Sequence, residues 1–165
     1  MILSRNAELM NPEYLKMLQG LPLFAEFTDA EMEGALDLID KVQYAPGECI
    51  VKQDETGDCM YVLVEGSARV VHRRNGKEFE LAVLNVGDFF GELALVDSGP
   101  RSADVETLTT CTLFRIEHGA LRAIAGVYPN AAFKLLIAVG RAMVVRMRRG
   151  NQVYIDSLLT GAARE

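Results

Sequence analysis

Apolar residues recur at helical steps at both ends of this chain and at strand-like steps between them. Residues 12–20 and 29–41 carry helical signals. Thr28 and Glu31 stand three apart as a capping box, and Met32, Ala35, Leu36 and Ile39 follow on one helical face. The apolar connector Leu21-Pro22-Leu23-Phe24 is expected to plug the end of a core. From Tyr44 the period changes. β-prone runs at 49–51, 60–64, 68–72, 78–84, 104–107 and 112–116 alternate with turn signals at Pro46-Gly47, at 54–58, at Glu65-Gly66, at Arg74-Asn75-Gly76-Lys77 and at 85–88. Many short strands joined by glycine-rich turns predict a β-sandwich or roll. Helix returns over 118–127 and again from Pro129. There Phe133, Leu136, Ile137, Gly140, Met143, Val144 and Met147 recur at steps of three and four. At Gly150 this helix either ends or is interrupted, although Val153, Ile155, Leu158 and Leu159 keep a helical spacing beyond it.

With 165 residues the chain forms one domain with a sizeable core. The net charge of −6 argues against a general nucleic-acid binder. Charge is unevenly spread. From Pro129 onward six basic residues face two acidic ones, a balance of +4 that leaves −10 on the preceding 128 residues. The basic stretch, with Arg141, Arg146, Arg148 and Arg149, reads as a solvated helix face. No apolar run approaches the roughly 20 residues of a membrane span, and Ser4 and Arg5 break the apolar start too early for a signal peptide. Cys49, Cys59 and Cys111 lack Cys-x-x-Cys spacing and sit in or beside apolar runs, which points to reduced thiols and a cytoplasmic location. The two histidines, His72 and His118, lie far apart and without His-x-His spacing, so a cupin-type metal centre is not expected. Phosphate-loop and serine-nucleophile motifs are absent as well. The chain is therefore expected to be no enzyme and to hold neither metal nor cofactor.

Chemistry concentrates in Phe90-Gly91-Glu92-Leu93-Ala94-Leu95 and the nearby Pro100-Arg101-Ser102-Ala103. A carboxylate accepts hydrogen bonds from sugar hydroxyls, and a guanidinium fork grips phosphate oxygens. A phosphorylated ribose needs both. The run resembles the phosphate-binding cassette of the cyclic-nucleotide-binding domain family, seen in catabolite-activator-like regulators and protein kinase A regulatory subunits. Further similarities lie at Gly47-Glu48-Cys49-Ile50-Val51-Lys52-Gln53, where Asp54 replaces the family's usual glycine. Others lie at Tyr61-Val62-Leu63-Val64-Glu65-Gly66 and in the Val86-Gly87-Asp88-Phe89 lead-in.

The resemblance implies an α+β, mainly β fold: N-terminal helices over about 14–41, an eight-stranded antiparallel β-roll over about 44–117, and two C-terminal helices over about 118–150. Residues 1–13 and 151–165 would be tails. It also implies a binding site. Gly91 would let backbone approach the ligand, with Leu93 and Ala94 in the short helix over 91–96. Glu92 would take the ribose 2′-hydroxyl and Arg101 the cyclic phosphate, with Ser102 and Ala103 beside it. Val51, Leu81 and Leu84 would wall the base and sugar, and Met143, Arg146 and Met147 fall near the position that caps the purine. Serine after the arginine favours cyclic AMP, with cyclic GMP as the alternative. The implied function is a stand-alone sensor that signals to a protein partner through its last helix, with homodimerisation through the 136–147 face. Only 15 residues follow Gly150, too few for the helix-turn-helix of transcription factors, so DNA is not the expected partner. A scaffold that keeps the roll without binding is the competing reading.

Overall fold

The computed structural model describes residues 12–95 and 99–162. Two short helices, α1 (Pro12–Gln19) and α2 (Asp29–Leu36), precede eight strands: β1 (Asp40–Tyr44), β2 (Cys49–Val51), β3 (Cys59–Glu65), β4 (Ala68–Arg74), β5 (Lys77–Leu84), β6 (Phe89–Phe90), β7 (Asp104–Thr107) and β8 (Cys111–Glu117). A 3-10 helix (Glu92–Leu95) follows β6, and α3 (His118–Val127) and α4 (Pro129–Ala162) close the chain. The strands form two antiparallel four-stranded sheets in the orders β1-β8-β3-β6 and β2-β7-β4-β5. This is the expected β-roll with flanking helices.

Alternation along the strands builds two cores. On β3, Cys59, Tyr61 and Leu63 point between the sheets, where they meet Ile50, Ala68, Leu84 and Val105 of the opposite sheet. Met60, Val62 and Val64 point the other way, with Phe114 and Ile116 of β8, into a second cluster under the helices. Both faces of β3 are buried, which is why Cys59 to Val64 read as an unbroken apolar run. Leu21, Leu23 and Phe24 of the connector are buried in this second cluster, as expected.

Two helix ends and one strand ladder depart from the expected outline, while the hairpin turn stands where expected. The helix expected over 29–41 ends at Leu36, and Asp40 and Lys41 already pair with Arg115 and Phe114. Ile39 satisfies both periods, which hid the boundary. The helix α4 runs without a break through Gly150, where glycine costs about 1 kcal/mol relative to alanine but does not forbid helix. The β4–β5 hairpin turns through Asn75 and Gly76, both at positive φ (53° and 73°), the geometry a two-residue type I′ turn requires. Its ladder then shifts register between Val70 and Val71, leaving Leu81 as an extra residue, a β-bulge.

Helix α2 is held by its capping box: the Glu31 backbone N–H donates to Thr28 Oγ1 (3.3 Å), and the Thr28 backbone N–H to Glu31 Oε2 (2.9 Å). The same carboxylate accepts from Lys134 Nζ at 2.7 Å, tying α2 to α4. Val71 on the outer face of β4 is fully buried, flanked by Arg69 and Arg73. Their guanidiniums pair with Glu78 of β5 and Glu106 of β7.

Candidate ligand-binding site

The two-residue strand β6 divides its side chains between the cores. Phe90 points into the roll and stacks on Tyr61 (ring centroids 5.2 Å apart, 17° between planes). Burial pushes the Tyr61 hydroxyl well above the ordinary tyrosine range, so it stays neutral there. Phe89 points under α4. Gly91 then takes φ of +74°, a left-handed conformation that a side chain disfavours, and swings the chain into the 3-10 helix.

The loop bearing Arg101 is laid along the turn between β2 and β3. Asp54 N–H donates to Arg101 O (2.9 Å), Arg101 N–H to Glu55 O (2.8 Å), and Pro100 forms an isolated bridge with Thr56. Behind it the buried Asp104 accepts from the Gln53 backbone N–H at 2.6 Å and pairs with Arg73. His72 Nδ1 lies 3.0 Å from the Ser102 carbonyl oxygen. Arg73 and Arg69 hold the neighbouring Glu106 carboxyl below the usual carboxylate range. The loop is thus braced from the turn and from the sheet.

These elements enclose a cavity of about 690 Å³ beside the free edges of β5 and β6, closed on one side by α4. Of the residues expected from sequence, Val51, Leu81, Leu84, Gly91, Glu92, Arg101, Ser102, Ala103 and Arg146 line it together. Leu93 and Ala94 face a smaller adjoining cavity of about 290 Å³ that Arg101 also borders. Met143 packs against the core under the helices, and Met147 is 63% exposed. Neither lines the cavity. Helix α4 instead presents Arg146, Arg149, Gly150 and Val153. These last three, with Val70, Ala82 and Val83, are additions that the sequence did not assign to the site. The 3.6-residue spacing from Arg146 to Gly150 and Val153 was the available signal, masked by the apolar stripe through Met143 and Met147.

Arg146 joins helix to cassette. Its Nη1 donates to Glu92 Oε1 (3.1 Å), its Nη2 to the Phe89 carbonyl (2.5 Å), and its Cζ lies 4.6 Å from the Phe89 ring centroid. The Glu92 side chain is only 14% exposed. Arg101 donates from Nη1 to the Gly91 carbonyl (3.2 Å) and from Nη2 to the Cys59 carbonyl (2.7 Å). It also walls a cavity of about 350 Å³ beside the free edges of β1 and β2, so one guanidinium stands between the two mouths of the roll. Among the described residues no cluster of three metal-ligating side chains occurs, and no helix is long and apolar enough to cross a membrane.

Comparison with known proteins agrees with this geometry. The chain is 38% identical over 92 residues to a cAMP-dependent protein kinase regulatory subunit of Mycosarcoma maydis, covering 56% of this chain and 18% of that protein. It is 32% identical over 132 residues to the cAMP-activated global transcriptional regulator CRP of Escherichia coli, covering 78% and 63% respectively. The chain therefore spans less than two thirds of either relative. Its structure superposes on the N-terminal domain of a transcriptional regulator from Streptomyces coelicolor with a TM-score of 0.69, at 33% identity over 84% of this chain and 94% of that one. The sequence profile described as "Cyclic nucleotide-binding domain" matches residues 41–128, more than half of the chain, and the chain belongs to that family.

Proposed function

We propose that the 690 Å³ cavity binds a cyclic nucleotide, cyclic AMP in preference to cyclic GMP, and that α4 passes occupancy on to a partner. The observation that carries this reading is the meeting of Glu92, Arg101 and α4 around one cavity. Glu92 accepts from the ribose 2′-hydroxyl, and Arg101 donates to the cyclic phosphate. A guanidinium carries five N–H groups, so the fork keeps donors for phosphate beside its two bonds to backbone carbonyls. The Gly91 backbone and the Ser102 hydroxyl flank the phosphate, while Val51, Leu84, Val70 and Ala82 supply apolar wall. The preference for cyclic AMP rests on Ser102 after the arginine and on the two relatives whose names carry cAMP.

Nucleotide binding changes what Glu92 holds. In the structure its Oε1 is bonded to Arg146, so a ribose hydroxyl arriving there alters the contact that pins α4. The protein acts as a cytoplasmic regulator rather than a catalyst, and its output is a protein contact rather than DNA binding. A second copy of the chain is the simplest such contact, through the exposed stripe of α4 that includes Phe133, Ile137, Val144 and Met147.

Calorimetric titration with cyclic AMP and cyclic GMP tests the reading, with Arg101→Ala as control. The expected result is saturable cyclic AMP binding, tighter than cyclic GMP, and weakened about ten- to a hundred-fold or more by the substitution, as for loss of a charge-assisted hydrogen bond. Absence of heat and of thermal stabilisation with both nucleotides overturns it in favour of a scaffold role.

A further inference from the structure

The structure assigns a positioning role to Gly57, a buried glycine in the β2–β3 turn that is remote in sequence from the cassette. An added Cβ on Gly57 would stand 2.2 Å from both Cζ and Nε of Arg101 and 2.6 Å from its Nη2. On the other side, a Cβ on Gly91 would stand 2.4 Å from Arg101 Nη1. The guanidinium therefore occupies a slot between two glycines, and the carbonyls of Cys59 and Gly91 grip it there. Gly57 differs from Gly91 in a useful way. Gly57 lacks the positive φ of Gly91, so no left-handed strain stands against a side chain there and the crowding by Arg101 is what favours glycine. The atoms that a side chain would strike belong to the flexible end of Arg101. A methyl at position 57 is therefore accommodated by expelling the guanidinium, not by breaking the turn.

Gly57 thus acts through Arg101. It keeps the fork flat against the turn, with its donors shared between the two mouths of the roll, before any ligand arrives. A fork released from the slot must be ordered again at the moment of binding, which weakens affinity. The consequence for nucleotide binding rests on the function proposed above; the packing of the slot does not.

Gly57→Ala, Arg101→Ala and the double variant form a cycle with two readouts. In cyclic AMP titrations, Gly57→Ala is expected to weaken binding about tenfold or more, and to change it less than about twofold when Arg101 is already alanine. In thermal unfolding of the ligand-free proteins, Gly57→Ala is expected to lower the midpoint when Arg101 is present and to leave it unchanged when Arg101 is absent. The double variant has room for the methyl and keeps the test informative even if the single variant folds poorly. Wild-type affinity in Gly57→Ala, or equal effects of the substitution in both backgrounds, overturns the inference. If wild type binds neither cyclic nucleotide, the functional reading falls. The unfolding midpoints still decide the slot: non-additive values uphold it and additive ones remove it.

Discussion

In the proposed site Glu92 and Arg101 would serve different ends of one ligand, and their loss should read differently. Glu92→Ala is expected to weaken cyclic AMP binding about tenfold or more while leaving the 2′-deoxy analogue nearly unaffected, because only the ribose form uses the carboxylate. Titration of both sugars against wild type and variant checks this. Equal losses would show that Glu92 serves α4 through Arg146 and not the sugar. At this scale the sequence was informative where chemistry is local. The cassette residues stand within fourteen positions, 90–103, and their types alone point to a phosphorylated sugar. Gly57 was not legible, because its role exists only once the 54–57 turn lies against Arg101. Nor was the face of α4 that meets the cavity. Met143 and Met147 satisfy the helical stripe as well as Arg146, Gly150 and Val153 do, and periodicity does not say which stripe faces the cavity.

Elements were legible to the extent that their periods were exclusive. β3 declared itself as an apolar run because both its faces are buried, and the Asn75-Gly76 turn located the hairpin. The join between α2 and β1 was obscured because Ile39 continues the helical stripe into the first strand. Helix α2 also carries a titratable tie to α4. The Lys134 ammonium and the Thr28 backbone N–H hold the Glu31 carboxyl below its ordinary value. A carboxylate depressed in the folded state contributes stability above its unfolded pKa and loses it as pH falls through the folded one. Glu31→Gln is therefore expected to destabilise the protein by about 0.5 kcal/mol at neutral pH, the scale of a partly solvated pair. The deficit should vanish as pH falls below the ordinary carboxylate value of about 4.3. Denaturant melts of both proteins across that window check the sign, and a deficit that persists in acid would exclude the charge as its origin.

For the whole molecule, α4 is the dominant feature. Its 34 residues extend about 50 Å at 1.5 Å per residue. One stripe of it packs under the roll, while Phe133, Ile137, Val144, Met147, Tyr154 and Leu158 remain exposed at alternating steps of four and three, with Gly140 and Asn151 filling the gaps. Replacing Ile137 and Val144 together by glutamate is expected to convert a dimer to a monomer in sedimentation equilibrium. A wild-type monomer at high concentration would remove the second-copy contact. The bulge in β5 has a consequence of its own at this scale. β5 is a sheet edge, and Phe79, Leu81 and Val83 are exposed along it. Eight regular residues of that kind would offer an open row of backbone donors and acceptors on which other molecules could grow as cross-β fibrils. The extra residue at Leu81 breaks that row midway, and the flanking Lys77, Glu78 and Glu80 charge what is left. The rim of the proposed binding cavity is in this way protected against edge-to-edge aggregation.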